Sequence, residues 1–381
     1  MLAAWLVWFV LPGRTRAENR ADYRYEDYAE DAGRIHIQTH GFYFANELKP
    51  WLTVKGNFLH DAISGATPTG APPLPGQSEV AKATIDDIRR AGFIEPTFKL
   101  ANHSLTPQAA YSVESDYESI GVSLNHAIEL NEKNTTLTWG VSHAFDRVLP
   151  NLGTAITKAQ DKNSTDVLLG ISQLLDQHTI VSANVTLGYS EGYLADPYKR
   201  VLFDDFPYFP GPDPSEPFPY TVFPENRPDQ KFRQVLFLSA QHYFEPVKGA
   251  LEATYRFHHD DFGVMANTVS LQWNQKLAKH VIVSPLFRFH TQTAADFYGT
   301  HFPGDPTDPD SFPTPRHYSA DYRLSALNTF TYGVSVSAHV HENVSLELAY
   351  KRYVMKGTDG VTSADQYPSA HVITGGLTIW Y

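Results

Sequence analysis

The sequence predicts an all-β protein, a transmembrane antiparallel up-and-down β-barrel. It would have about fourteen strands, within about twelve to sixteen, with short turns at one end and long loops at the other. Three observations predict it. Apolar residues alternate with Gly, Ser, Thr and Asn through most of the chain. The connections between the alternating stretches are short and long in turn. The last stretch, residues 371–381, is an open apolar strand. Outside a short N-terminal segment, no apolar run reaches the roughly 18 residues of a spanning helix. A helical membrane protein is therefore excluded, whereas barrel strands hide their apolar half by alternation. Aromatic residues are 13% of the chain, enough for girdles at two membrane interfaces. A net charge of −12 argues against nucleic acid, which requires a basic face. The chain has no cysteine, so disulfides, thiolate metal sites and a thiol nucleophile are excluded.

Residues 1–17 have the pattern of an export signal: an apolar run from Leu2 to Leu11, a break at Pro12-Gly13, and the small residue Ala17 before Glu18. No Lys or Arg precedes the apolar run, which departs from the usual pattern. An anchoring helix is the alternative, and the segment is short for one. The barrel then occupies residues 18–381.

Residues 22–28, 35–45 and 52–61 are predicted as the first three strands. A long excursion follows at residues 62–116, read as a loop that folds into the lumen. Within it, residues 80–91 are predicted as a short amphipathic helix, with Val80, Ile85 and Ile88 on one side. Beyond Tyr117 the alternation is cleaner. Ile120, Val122, Leu124, Ile128 and Leu130 share a face, and Leu137, Trp139, Val141 and Phe145 answer them after a turn at residues 131–134. Val167, Leu169 and Ile171 lead through residues 176–178 to Val181, Ala183, Val185, Leu187 and Tyr189. Residues 232–244 turn at Glu245-Pro246 into Leu251, Ala253, Tyr255 and Phe257. Val269, Leu271 and Trp273 turn at residues 277–279 into residues 281–290. Phe330, Tyr332, Val334 and Val336 turn at residues 341–343 into Val344, Leu346, Leu348 and Tyr350.

A soluble sandwich would also alternate. The alternation of short and long connections favours the barrel, and counting back from the last strand requires an even number, which residues 22–28 complete. In that last strand Ile373, Leu377, Ile379 and Tyr381 fall on one face, and Thr374, Gly376 and Thr378 on the other. Such an edge invites pairing, and a barrel supplies the partner by closing its last strand on its first. Leu377, Ile379 and Tyr381 resemble the C-terminal assembly signal of Gram-negative outer-membrane barrels.

The chain also resembles a family at several segments taken in order: Ser64-Gly65-Ala66-Thr67-Pro68, Glu114-Ser115-Asp116-Tyr117, Asp196-Pro197-Tyr198-Lys199, Asn226-Arg227-Pro228, Asp260-Asp261-Phe262-Gly263, Ala295-Asp296-Phe297-Tyr298 and Ser319-Ala320-Asp321-Tyr322-Arg323-Leu324. Together these resemble the domain-of-unknown-function 3570 family, predicted outer-membrane proteins of Gram-negative bacteria. The resemblance implies the barrel, an outer-membrane location, and contact with membrane lipid and the barrel assembly machinery. It implies no activity. Family members encoded beside a flavin transferase, a thioredoxin-like protein and a small lipoprotein imply an envelope protein partner in redox or flavin-related processes as an alternative.

Charges that share a face with Gly, Ser and Thr should face the lumen, because they are costly in lipid. Glu252, Arg256 and His258 share one such face, as do Glu347 and Lys351, with Lys55 on another strand. They either line an aqueous path or pair as a static network. In the long excursion Asp86, Asp87, Arg89 and Arg90 are candidate constriction charges, or parts of an external lid. His60 with Asp61, and His258 with Asp260, are candidate rim sites for a metal or an acid/base pair; a charged rim beside a tight turn explains them as well. Ser142 and His143 lie on opposite faces, which removes a Ser/His pair there. The loops carrying Pro207-Tyr208-Phe209-Pro210, Pro217-Phe218-Pro219-Tyr220 and residues 302–315 are rich in Pro and aromatics; they suit either a partner or self-packing over the barrel. Asp204, Asp205, Asp305, Asp308 and Asp310 have no compelling cation-ligand spacing. No cofactor and no nucleic acid is expected. The leading expectation is a pore for small polar solutes, then a non-conducting scaffold for a surface or periplasmic partner, then an outer-membrane enzyme.

Overall fold

The computed structural model describes residues 19–71, 79–204, 222–311 and 313–381. The export-signal segment and the two Pro-aromatic motifs at 207–210 and 217–220 lie outside the described residues.

Among the described residues eighteen strands follow one another: β1 (Arg20–Glu30), β2 (His36–Lys49), β3 (Leu52–Pro68), β4 (Lys82–Leu100), β5 (His103–Val113), β6 (Tyr117–Leu130), β7 (Thr135–Val148), β8 (Gln160–Leu174), β9 (Thr179–Gly192), β10 (Arg200–Leu202), β11 (Val222–Pro224), β12 (Gln230–Phe244), β13 (Gly249–Asp260), β14 (Met265–Ala278), β15 (Val281–Gln292), β16 (Leu327–His341), β17 (Val344–Gly357) and β18 (Ser369–Trp380). All but β10 and β11 form one closed antiparallel barrel of sixteen strands, each paired with its sequence neighbour, and β10 and β11 make a separate small hairpin. β18 closes on β1 with Tyr23 opposite Leu377 and Arg20 opposite Trp380. The closure removes both edges, which is why an open apolar last strand is stable here.

One face of each strand carries exposed apolar side chains, and the register continues that face around the barrel. Phe42 stands opposite Phe58, Ile120 opposite Phe145, Val141 opposite Val167 and Val334 opposite Tyr350. The exposed outward set includes Ile94, Val122, Val185, Leu238, Leu271 and Leu348, with Trp51 and Phe244 near the short-turn end. Such a band, bounded by aromatics, has the pattern of the outer surface of a membrane barrel. No helix of the described residues is long and apolar enough to cross a membrane. The turn at Asn131, Glu132 and Lys133 takes three residues with positive φ, a local cost that the flanking pairing of β6 and β7 carries.

Two sequence expectations are corrected. Residues 80–91 are not a helix, and residues 62–116 are not a lumenal loop. β3 runs on to Pro68, and β4 pairs with it without interruption from Leu52 opposite Phe98 to Pro68 opposite Lys82. The spacing of Ile85 and Ile88 suits a helix, but the 17-residue partner strand pairs with the segment from Lys82 onward in register, and context overrides propensity. The added hairpin of β4 and β5 brings the barrel to sixteen strands, the upper end of the expected range. Two extra strands preserve the alternation of ends, so the in-and-out phase of every other strand is as expected.

Gly65 marks the place where the long β3 bends over the rim. Its φ is +117°, and a Cβ there would lie 2.0 Å from the carbonyl oxygen of Arg34, so glycine alone fits.

Candidate functional site

The inner wall carries the charges. Arg24 pairs with Glu347 at 3.2 Å, Lys55 with Glu95 at 3.5 Å, Lys162 with Asp146 at 3.6 Å and Arg233 with Asp166 at 2.7 Å. These are cross-strand pairs on the inward face. Most of the lumen's charge is therefore compensated locally.

One wall departs from this. Among the described residues, no carboxylate pairs with Arg256 of β13, Arg288 of β15 or Lys351 of β17. The register places them on one inward staircase. Arg256 stands opposite Thr268, in the row of His290. Arg288 is one inward row further from the loop end, opposite Ser270 and Thr331. Lys351 is one row further again, opposite Gly333. Each step spans two strands and two residues, roughly 12 Å at the backbone, and hydroxyl side chains lie between. Glu252 shares the row of Lys351 but lies four strands away, too far to neutralise it.

Arg256, Glu252, Glu347, Lys351 and Lys55 thus face inward as their patterning predicts. Arg288 was missed. It lies within residues 281–290, predicted as a strand, and its alternation with Phe287 and Phe289 carried the signal. The excursion charges divide. Asp87 and Arg89 point inward, while Asp86 and Arg90 point outward opposite Ser64 and His60. His60 is outward and Asp61 inward, so they cannot share a ligand or a proton. His258 and Asp260 do meet, at 3.0 Å. Asp260 is only 2% exposed and also holds Lys231 at 2.7 Å and the N–H groups of Phe262 and Val264. Its lone pairs are committed to fixing the tight turn between β13 and β14.

Above the lumen the long connections form a cap. Val201, Phe203, Phe302 and Ala320 are buried together, with Phe223 and Tyr318 packed on them. Phe262, Val264 and Ala295 form a second cluster with Phe297 and Leu324. Between the strands and these clusters lies a buried charge network. Arg227 bridges Glu225 at 2.7 Å and Asp321 at 2.8 Å. Arg323 reaches Asp321 and Asp196. Lys199 lies 3.9 Å from Asp321. Ser319 donates to Glu225. Three cations thus face three carboxylates, which is how a charge set of this size tolerates burial. Burial works against the charge of Asp321, but Arg323, Lys199 and Arg227 outweigh it and hold its carboxyl well below the usual range. Burial raises Glu225 against the pull of Arg227.

The cap is tied to the rim on several sides. Lys199 donates to the carbonyl of Pro68 at the end of β3, and Arg200 N–H to Thr69. Tyr198 donates to Asp116. Ala155 N–H bonds the Pro197 carbonyl, Val80 N–H bonds Asp365, and Tyr298 meets Thr362. β3 and β9 stand six places apart in a ring of sixteen, so the connection after β9 crosses the mouth. Segments 64–68, 114–117, 196–199, 226–228, 260–263, 295–298 and 319–324, which carry the family resemblance, all lie at this end of the barrel. Sequence reading did not join them, because each is a short loop piece and their contacts span up to 131 positions.

The family model described as protein of unknown function (DUF3570) matches residues 75–160 and 152–371. No curated protein matches the chain. Among solved structures, CdiB from Acinetobacter baumannii is similar at a TM-score of 0.53 and 8% identity, covering 96% of this chain and 60% of its own. A BenF-like porin from Pseudomonas fluorescens Pf-5 is similar at 0.46 and 9% identity, covering 96% and 98%. The siderophore receptor PirA from Pseudomonas aeruginosa is similar at 0.45 and 11% identity, covering 96% and 62%. The chain thus spans less than two thirds of the length of PirA and CdiB. At these identities the likeness is one of fold.

Proposed function

The chain belongs to the DUF3570 family, and we propose that it is an outer-membrane pore of a Gram-negative bacterium that passes small anionic solutes. The unpaired staircase of Arg256, Arg288 and Lys351 carries this reading. A sixteen-stranded barrel leaves room for an aqueous lumen. A water-filled path between low-dielectric walls focuses the field of uncompensated charges and enriches the opposite ion. Three cations along one wall, with hydroxyls of Thr268, Ser270 and Thr331 between them, would hand an anion from step to step. Membrane lipid would contact the outward apolar band, and Leu377, Ile379 and Tyr381 would be read by the barrel assembly machinery. Catalysis is no part of the proposal.

A second reading has its own observation. The cap is bound to the rim from several sides and contains a satisfied buried charge network. A mouth covered in this way suits a non-conducting scaffold that presents its cap to an envelope partner. Single-channel conductance of the folded chain in a planar bilayer, with reversal potential measured across a KCl gradient, separates the two. Anion-selective conductance that loses its selectivity in the Arg256→Ala, Arg288→Ala double variant supports the pore. A folded, heat-modifiable protein silent both as wild type and with the cap network broken overturns it.

A further inference from the structure

We infer that Arg256 and Arg288, with the hydroxyls of Thr254, Ser270, Thr331 and Tyr353, form a saturable site on the inner wall for one tetrahedral oxyanion of the phosphate kind. This rests on the pore reading, in which these side chains face water, and deepens it by the class of solute held there.

The register builds the site. Along one inward row, Thr254 of β13 stands opposite Ser270 of β14, and Ser270 opposite Arg288 of β15. The row continues with Thr331 of β16 opposite Arg288 and Tyr353 of β17 opposite Thr331. Neighbouring strands lie about 4.8 Å apart, so Arg288 has one hydroxyl residue on each side and another beyond each. Arg256 stands on the next inward row toward the loop end, two residues along β13 from Thr254. The backbones of the two arginines are roughly 12 Å apart, within the combined reach of two extended side chains. Each guanidinium already lies in the field of the other.

The lack of a counter-charge sets this place apart. Lys55 has Glu95, Lys162 has Asp146 and Arg233 has Asp166. Neither Arg256 nor Arg288 makes a hydrogen bond or ion pair among the described residues, and the four hydroxyls make no hydrogen bond there either. On the inward face of β13 the nearest carboxylates are Glu252 and Asp260, each four residues from Arg256, roughly 13 Å along the strand. Asp260 is committed to Lys231 and His258. His290, the inward neighbour of Arg288, is committed to Thr268 at 2.8 Å and to Gln292 at 3.3 Å. Arg256 is exposed and Arg288 half-buried, so a solute in the lumen reaches both.

The donor set selects the ligand. A guanidinium fork engages two oxygens of an oxyanion at once. Two forks and the hydroxyls around them offer more donors than a single carboxylate accepts. Two uncompensated positive charges match a dianion. Phosphate presents an edge of its tetrahedron to each fork and leaves oxygen lone pairs for the hydroxyls. Chloride gains from the charges but cannot use the forks.

The test is calorimetric titration of the detergent-folded full chain in a chloride-poor buffer at about pH 8, where phosphate is mainly dianionic. Sodium phosphate, sodium chloride and disodium succinate are titrated separately. One phosphate per chain is expected, bound more tightly than chloride or succinate. Arg256→Gln or Arg288→Gln should each weaken it about tenfold or more. Arg288→Lys keeps the charge and loses the fork, so it should weaken binding as well. Lys162→Gln removes a cation that already has a partner and should leave the affinity unchanged. Heat-modifiable migration verifies folding, and if one arginine variant does not fold the other carries the test. No saturable phosphate binding up to about 10 mM overturns the site. So does an equal affinity for succinate or chloride. Full retention in Arg288→Lys, or an equal loss in Lys162→Gln, also overturns it, because a diffuse field would then suffice. Phosphate binding without conductance would sink the pore and leave the site. Anion-selective conductance without saturable phosphate binding would do the reverse.

Discussion

Lys199 donates its Nζ proton to the carbonyl oxygen of Pro68 at 2.5 Å, joining the connection after β9 to the end of β3 almost half-way round the barrel. The ammonium is nearly fully buried, and burial lowers its pKa against the opposing pull of Asp321. It also lies 5.2 Å from the ring centroid of Tyr322. One side chain therefore contributes to the charge balance around Asp321 and ties the cap to the opposite rim.

Replacing Lys199 by Met should leave Asp321 with one cation fewer and free the Pro68 carbonyl. Removing one partner of a buried charge set costs about 3–5 kcal/mol, here borne by the cap more than by the strands. The expected outcome is protease cleavage within the 193–229 connection while the barrel core stays protected, with longer open times if the cap gates the lumen. An unchanged digestion pattern would show that the tie is dispensable.

Selectivity should follow the staircase. Arg256→Ala with Arg288→Ala should bring the anion-to-cation permeability ratio toward unity, and the effect should shrink in high salt as the field is screened. Lys55→Ala, which removes the cation beside Glu95 and leaves that carboxylate held by Gln108, should shift the ratio the other way. Reversal potentials at two salt concentrations check both.

The cap end should loosen as pH rises. Glu114 has its folded pKa raised from 4.5 to about 7, so the folded form binds more protons than the unfolded one between these values. Its contribution is fully favourable below about pH 4.5 and is lost as pH climbs through about 7. Urea midpoints should fall from pH 5 to pH 8 through this group, and Glu114→Gln should flatten that segment of the profile.

The two faces of the last strand should respond differently to charge. Leu377 faces outward opposite Tyr23, and Leu377→Arg should cost about 2–4 kcal/mol if the site is near the membrane midplane. Thr378 faces inward and donates to Asp22 at 2.6 Å, so Thr378→Lys should cost much less. Refolding yield and urea midpoints in lipid vesicles distinguish them.

The sequence by itself determined the class of fold, the placement of most strands, and which side chains point inward. Alternation has a period of two, so a single apolar anchor such as Phe257 on β13 or Leu348 on β17 assigns the face of every residue on its strand, and Arg256 and Lys351 follow. The pairing of β18 with β1 was legible for the same reason, since an apolar strand with free edges needs a partner. What only the tertiary structure decided was the fate of residues 80–91 and the assembly of the cap. Asp86, Asp87, Arg89 and Arg90 break the apolar pattern because their strand rises to the rim, and only the partner strand β3 shows that it is extended. Asp196, Lys199, Glu225, Arg227, Asp321 and Arg323 lie in loops without periodicity, so their pairing depends on how the barrel's closure brings distant connections over one mouth. Local patterning encodes which way a residue faces; the meeting of residues from separate loops is encoded only in the shape of the closed sheet.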